Sequence, residues 1–321
     1  MINWGIIGCG DVTELKSGPA FNKIEHSSLY GVMRRDAERA KDYAQRHQVP
    51  FWSTDANDLI FNENINAIYI ATPPVYHEEY TIQALKAGKN VYVEKPMALT
   101  EAGCKNMAEV AEISGSKLSV AHYRRAMPFF NKIKELIWSG SIGEILFVNL
   151  KMFLPAKNNV ITKTVDNWRI NPLISGGGLF FDLAPHQIDM MLYLFGPVKN
   201  ACGLSSTSSQ NQITDLLSGQ MLFLNNILFN GQWCFNSPAE EKADVCEIVG
   251  SRGKICFPFF GDKYIVTKDS KEQAFQILPP QHVQQPMIGQ VVQYFLNEGP
   301  NPCDAFTGTE VLRIMESFAN K

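Results

Sequence analysis

Three groups of residues in this chain have the types and spacing that chemistry needs. The first is Gly8-Cys9-Gly10-Asp11-Val12-Thr13, directly after the apolar run Ile2–Ile7. Such a turn lets the backbone approach a pyrophosphate, and the helix that follows aims its first N–H groups at the charge. Thr13 stands where a third glycine or alanine is usual. The second group is Glu94-Lys95-Pro96, at the end of a later apolar run. A lysine there faces the ligand edge of a parallel sheet and can bond a reacting hydroxyl or carbonyl oxygen, stabilising charge that develops on it. The third is Asp182 with His186, which share one helix face at a spacing of four. The imidazole could accept a hydroxyl proton while the carboxylate orients substrate or histidine. Each group has a plain alternative: a simple strand–turn–helix, a surface lysine, a satisfied core histidine. Their occurrence together favours the chemical reading.

The elements that must position these groups can be read from periodicity. Ile2–Ile7, Leu29–Met33, Ala67–Ala71, Asn90–Val93 and Leu118–Ala121 are nearly continuous apolar runs, as strands buried on both faces should be. Helical stretches lie between them, at about Asp36–Arg46, His77–Ala87 and Thr100–Ser114, the last two followed by Gly88 and Gly115. Gly18-Pro19 should kink or restart the first helix. This alternation predicts a doubly wound parallel sheet. Beyond Tyr123 the pattern changes to a helix at Pro128–Ser139, a strand at Ile145–Phe153, the glycine run Gly176-Gly177-Gly178 and an apolar helix over Asp182–Phe195. Short strands and turns then fill Gly203–Ile277, and the last ~30 residues look helical in two pieces. The expectation is a Rossmann domain over residues 1–121 and an α+β domain over 122–321, with a large, mostly antiparallel open sheet separate from the first. In this reading Pro185 falls in the first turn of its helix, and His186 near the helix N-terminus is held neutral by the dipole.

Composition excludes several classes. The 321 residues carry a net charge of −3, so there is no basic footprint for nucleic acid. No apolar run approaches the ~18 residues of a membrane span, and Met1–Ile7 reads as a strand, not a signal peptide. The cysteines Cys9, Cys104, Cys202, Cys234, Cys246, Cys256 and Cys303 form no CxxC pair, which fits free thiols in a reducing cytoplasm. No cluster has metal-ligand spacing. His77 is read as a helix cap near the cofactor loop and His122 as support at the domain junction, whereas His26, His47 and His282 are expected to face solvent.

Gly8-Cys9-Gly10, Ala71-Thr72-Pro73-Pro74-Val75-Tyr76-His77, Glu94-Lys95-Pro96, His122-Tyr123-Arg124-Arg125, Trp168-Arg169, the glycine run and Asp182-Leu183-Ala184-Pro185-His186 together resemble the family of glucose–fructose oxidoreductase, inositol dehydrogenase and their relatives, over essentially the whole chain. The Trp168-Arg169 pair looks most like the 1,5-anhydrofructose reductase branch. The resemblance implies a nicotinamide-dependent oxidoreductase acting on a sugar, cyclitol or related small polyol or carbonyl compound. It implies Lys95, Asp182 and His186 as the catalytic set, with Tyr123 and Arg124 near the substrate. It places the cofactor against Gly8, Cys9, Gly10, Asp11, Val12, Thr72, Pro73, Pro74, His77, Glu94, Lys95, Trp168 and Arg169. Some relatives are glycosidases that use the nicotinamide transiently, and some are regulators; the presence of Lys95, Asp182 and His186 together argues against a regulator. Relatives commonly pair subunits through the open sheet, so a homodimer or homotetramer is expected. Specificity is assigned to the far sheet and to loops around Leu154–Val165.

Cofactor choice turns on the end of the second strand. An acidic residue there usually binds the ribose hydroxyls of NAD, but this chain has Met33-Arg34-Arg35. A guanidinium can grip a 2′-phosphate, and Arg39 on the next helix could assist. NADP(H) is therefore expected over NAD(H), the alternative being that Arg34 stacks on the adenine.

Overall fold

The strand–helix alternation of the first third builds a six-stranded parallel sheet. The structure, a computed structural model, describes residues 1–156, 171–207 and 214–320. The sheet is made of β1 (Ile2–Ile7), β2 (Ser27–Met33), β3 (Phe51–Ser53), β4 (Ala67–Ile70), β5 (Asn90–Val93) and β6 (Leu118–Val120), in the order β3-β2-β1-β4-β5-β6. Every pairing is parallel. Between the strands run α1 (Asp11–Leu15), α2 (Ala37–Arg46), α3 (Asn57–Ile60), α4 (His77–Lys86) and α5 (Glu101–Ser114). The short β3 and α3 carry too few residues to leave a periodic signal. The Gly18–Lys23 segment is a separate 3-10 helix with Pro19 near its start, as Gly18-Pro19 predicts. Strand order reverses between β1 and β4, and the turns leaving these two strands carry Gly8 and Thr72; in such sheets this reversal is where ligands bind.

Aromatic packing stiffens the sheet beneath that edge. Trp4, Phe21, Tyr69, Tyr92 and Phe295 form a connected cluster with centroid spacings of 4.8–6.5 Å. Each such pair contributes on the order of 0.5–1.5 kcal/mol beyond its buried area. The buried Trp4 indole donates to Ser27 Oγ at 3.0 Å, so its one polar group is satisfied.

The second sheet is separate, as expected. It consists of β7 (Ile145–Phe153), β8 (Val198–Ser206), β9 (Leu216–Phe223), β10 (Leu228–Cys234), β11 (Ala243–Gly250), β12 (Gly253–Phe257), β13 (Lys263–Lys268) and β14 (Lys271–Gln276). Their order is β14-β13-β12-β11-β7-β10-β9-β8, antiparallel except for the β7–β10 pair. The helices among these strands are α6 (Pro128–Trp138), α7 (Pro172–Ser175) and α8 (Leu179–Phe195); α9 (Gln285–Phe295) and α10 (Ala305–Ala319) close the chain. One face of the sheet buries Val148, Leu150, Met152, Met221, Phe229, Trp233 and Ile248. Phe180 of α8 and Phe318 of α10 pack on Trp233 at 5.3 and 5.8 Å. On the other face Leu204, Leu216 and Leu228 are exposed.

Contacts divide the chain differently from a single cut after residue 121. One unit holds Met1–Met127, Leu173–Gly176 and Pro280–Leu312; the other holds Pro128–Pro172, Gly177–Pro279 and Arg313–Lys321. The C-terminal return thus belongs largely to the dinucleotide-type unit, with Phe295 of α9 5.5 Å from Trp4.

Candidate functional site

Gly8 takes φ +94°, and a Cβ placed on it would lie 2.8 Å from both the backbone nitrogen and Cγ2 of Thr72. Only glycine lets β1 and β4 turn out of the sheet this close together. Gly10 differs: a Cβ there would meet nothing nearer than Gly8 O at 3.9 Å, so the space above it is open. Gly10 is also the N-cap of α1, with no side chain capping it. Thr72 Oγ1 is buried and has no hydrogen-bond partner in the described structure. An open cradle over a glycine at a helix start and an orphaned hydroxyl beside it fit a pyrophosphate-bearing dinucleotide. Thr13, in the place of the third glycine, is buried, and its hydroxyl donates to Gly10 O at 2.8 Å. Burial pushes the Cys9 thiol up to about 12 against the lowering pull of Arg34, so Cys9 serves as backbone and not as a nucleophile. Asp11 and Val12 form the first turn of α1.

The two arginines after β2 and Arg39 on α2 occupy three different environments. Arg34 is half-buried, and its Nη1 donates to Cys9 O at 3.1 Å, which ties β2 to the glycine turn. Arg35 lies over the Tyr76 ring at 5.2 Å. Arg39 pairs at 3.4 Å with Asp36, the N-cap of α2.

His77 is fully buried at the start of α4, where its ring bridges two ligand-edge loops. Nε2 lies 2.8 Å from Thr72 O and Nδ1 2.8 Å from Pro96 O. Burial lowers its pKa, opposed by the two carbonyls. It is a clamp between turns more than the helix cap that the sequence suggests. Pro73 and Pro74 shape the Thr72 turn, with Pro74 opening a 3-10 helix over Pro74–Tyr76. The Glu94 carboxylate is turned into the unit: Oε1 accepts from the Tyr69 hydroxyl at 2.6 Å and from Gln284 Nε2 at 2.7 Å, and Oε2 accepts from the Lys95 amide at 3.2 Å. Lys95 itself precedes a cis proline, Pro96. Tyr123 and Arg124 sit in a 3-10 helix after β6, both buried, with the guanidinium 5.6 Å above the tyrosine ring.

On the second unit, Asp182 and His186 both lie on α8, but the helix starts earlier than the sequence suggests. Gly176, Gly177 and Gly178 take φ of 86°, 151° and 88°, and Gly178 becomes the N-cap. Pro185 is consequently inside the helix, not in its first turn, and removes one rung of the ladder. His186 lies past the first turn, where the dipole's influence has faded; Asp182, in the first turn, gains from it instead. His186 is 6% exposed, and its ring stands edge-to-face with Phe260 at 6.1 Å. Asp244 fixes Phe260, accepting its amide and that of Phe259 at 2.8 Å each.

Trp168, Arg169 and most of the Leu154–Val165 loop lie outside the described residues. His26 faces solvent, but His282 does not. It is 5% exposed, with Nδ1 2.6 Å from Leu15 O and Nε2 2.7 Å from Lys23 Nζ. His47 is partly covered and lies 2.9 Å from Glu14. Sequence reading missed Gln284 and Tyr69 as neighbours of Glu94. The one available signal was Pro286 opening a helix beside them. Among the described residues no group of three His, Cys, Asp or Glu could hold a metal ion, and no helix is long and apolar enough to cross a membrane.

The model of the oxidoreductase family with NAD-binding Rossmann fold matches residues 2–122, and that of the GFO/IDH/MocA C-terminal domain matches residues 130–256. Oxidoreductase P35 of Formosa agariphila is 46% identical over 318 residues, covering 99% of this chain and 98% of that protein. The 1,5-anhydro-D-fructose reductase of Ensifer adhaerens is 23% identical over 260 residues, 79% of this chain and 75% of its own. Among solved structures, the aldose-aldose oxidoreductase from Caulobacter crescentus, complexed with glycerol, superimposes with a TM-score of 0.85 over 98% of this chain and 96% of its own, at 22% identity.

Proposed function

The chain belongs to the GFO/IDH/MocA oxidoreductase family, and from that premise we propose that it moves a hydride between a nicotinamide dinucleotide and a carbon of a sugar, cyclitol or related polyol. The observation that carries this reading is the Gly8–Gly10 turn packed against Thr72 at the reversal of strand order, with the open cradle above Gly10. The dinucleotide, when bound, supplies the hydride acceptor or donor; the chain's own residues position the substrate and handle one proton. In this reading Lys95 bonds the reacting oxygen and stabilises its developing charge. His186 takes the hydroxyl proton on oxidation and returns it on reduction, and Asp182 fixes the geometry. Tyr123 and Arg124 shape the substrate's surroundings.

We further propose NADP(H) as the preferred cofactor. Arg34 is tethered to the glycine turn and Arg35 is held over Tyr76, so two guanidinium groups stand where a carboxylate would repel a 2′-phosphate. The exposed face of the second sheet supports a homodimer or homotetramer. Leu222 of β9 and Phe147 of β7 flank Leu228 of β10 in one row across that face. A panel of sugars, cyclitols and keto-sugars assayed at 340 nm with both cofactors tests the central reading. Turnover of at least one compound is the expected result, and release of free reduced cofactor marks a dehydrogenase. No turnover of any kind across the panel overturns it.

A further inference from the structure

Glu94 is 7% exposed. Burying a carboxylate is costly unless donors surround it. Three reach this one: the Lys95 amide next door, the Tyr69 hydroxyl of β4, and Gln284 Nε2 at the start of α9, 190 residues away. Gln284 is 1% exposed. Its own amide donates to Lys16 O at 3.1 Å, and two residues earlier His282 Nδ1 reaches Leu15 O. The 282–284 segment is thus a strap tied at one end to the helix that follows the glycine turn. His282 Nε2 also lies against Lys23 Nζ, and Gln284 reaches the Tyr69 hydroxyl and the carboxylate that fixes the backbone of Lys95. On the far side of Lys95, the Pro96 carbonyl is held by His77.

We propose that Gln284 is a positioning residue for Lys95, acting through the Glu94 carboxylate. This rests on the reading of Lys95 as the residue that meets the substrate oxygen. Gln284 can donate to Glu94 Oε1 without adding charge, and it holds the carboxylate so that Oε2 stays on the Lys95 amide. The titratable groups facing that carboxylate are Tyr69 and Tyr92 from the strands and His77 from α4. Burial and the charge of Glu94 raise the Tyr69 hydroxyl well above its usual range, so it remains a donor and Gln284 remains the second one. A glutamine that merely filled core space would leave Lys95 unchanged when replaced by a residue of similar volume.

The test uses Gln284→Leu and Gln284→Glu in the full chain. The first readout is competitive acetylation of Lys95 measured by mass spectrometry, with the exposed Lys41 as internal reference; it needs no substrate. The second is the split between kcat and KM on a sugar found in the panel. In Gln284→Leu, Lys95 labelling relative to Lys41 should change. kcat should fall by about 10- to 100-fold, the range expected when a catalytic group is misplaced by about 1 Å, while the cofactor Kd stays near wild type. Gln284→Glu sets two carboxyl groups face to face, which raises the pKa of one of them. Labelling and kcat should therefore return toward wild type as the pH falls and the pair shares a proton, and depart again as it rises. If Gln284→Leu does not fold, this pH-dependent rescue carries the test. Wild-type labelling of Lys95 at every pH in a folded variant overturns the proposal. Absence of any sugar turnover by the wild type counts against the proposed function alone, because the labelling readout stands without it.

Discussion

Gly8 and Thr72 approach so closely that a single added methyl on the glycine would sit 2.8 Å from the threonine's backbone nitrogen. Gly8→Ala should therefore damage the fold itself. Its left-handed φ alone costs about 1–3 kcal/mol for a residue with a Cβ, and the backbone collision adds to that. Gly10→Ala meets only open space, so it should unfold at the wild-type denaturant midpoint and lose dinucleotide affinity all the same. Urea titration beside cofactor fluorescence separates the two. Equal destabilisation by both, or wild-type affinity in Gly10→Ala, would count against the cradle.

Arg34→Ala removes the guanidinium tethered to Cys9 O. A hydrogen bond to a charged group contributes about 1.5–3 kcal/mol, so the ratio of kcat/KM for NADP to that for NAD should fall by about 10- to 100-fold. A wild type that prefers NAD, or an unchanged ratio in the variant, defeats the cofactor assignment.

Lys95→Ala and His186→Ala should each lose turnover by roughly 10² to 10⁴, with cofactor affinity little changed. Asp182→Asn should lose less if it orients and does not transfer a proton. The limb of the pH–rate profile that disappears in each variant identifies the titrating group, and a profile in which lysine and histidine exchange roles would reverse the assignment of proton transfer. Near-normal turnover in both alanine variants removes these residues from the chemistry.

Glu14, on α1, sits beside Arg46, whose hydrogen bonds hold its carboxyl at about 2, well below the ordinary value of 4.5, with His47 helping and burial opposing. A depressed pKa stabilises the folded state above the unfolded pKa, and this contribution is lost as the pH falls through the folded one. The stability gap between wild type and Glu14→Gln should thus be constant near neutrality and close between about pH 4.5 and 2. Melting curves over that range check it; a gap that widens on acidification contradicts the pairing.

Leu228→Lys places a charge in the middle of the exposed leucine-bearing face. The wild type should have at least a dimer's mass by light scattering at micromolar concentration and the variant a monomer's. A monomeric wild type removes the proposed assembly.

The sheet of the first unit was legible because its strands are buried on both faces. An uninterrupted apolar run such as Ala67–Ala71, bounded by Asn66 and Thr72, is too short for a buried helix and too apolar for a half-exposed strand. Asp36, Thr100 and Gly115 marked helix ends correctly since capping is local chemistry. The start of α8 was misjudged because three consecutive glycines with positive φ let a helix begin where propensity argues against one. Lys95 and His186 were visible as residue types at meaningful places. The groups bonded to their neighbours were not: Tyr69 and Gln284 on Glu94, and Asp244 on the Phe259 and Phe260 amides, are ordinary polar residues whose partners are set by tertiary packing. His282 was misread for the same reason, as nothing near it in sequence tells of Leu15 or Lys23.

The dinucleotide unit is completed by residues 280–312, and this sets an order of events during synthesis. At roughly 5–20 residues per second, the strap leaves the ribosome on the order of ten seconds or more after β6. Until then Trp4 lacks Phe295, and the Glu94 carboxylate has only one of its two side-chain donors. The nascent unit can pair its six strands before Gln284 reaches Glu94. Chains released early by truncation before Pro280 would carry every motif of the dinucleotide turn and still leave Trp4 without the ring that packs on it from α9.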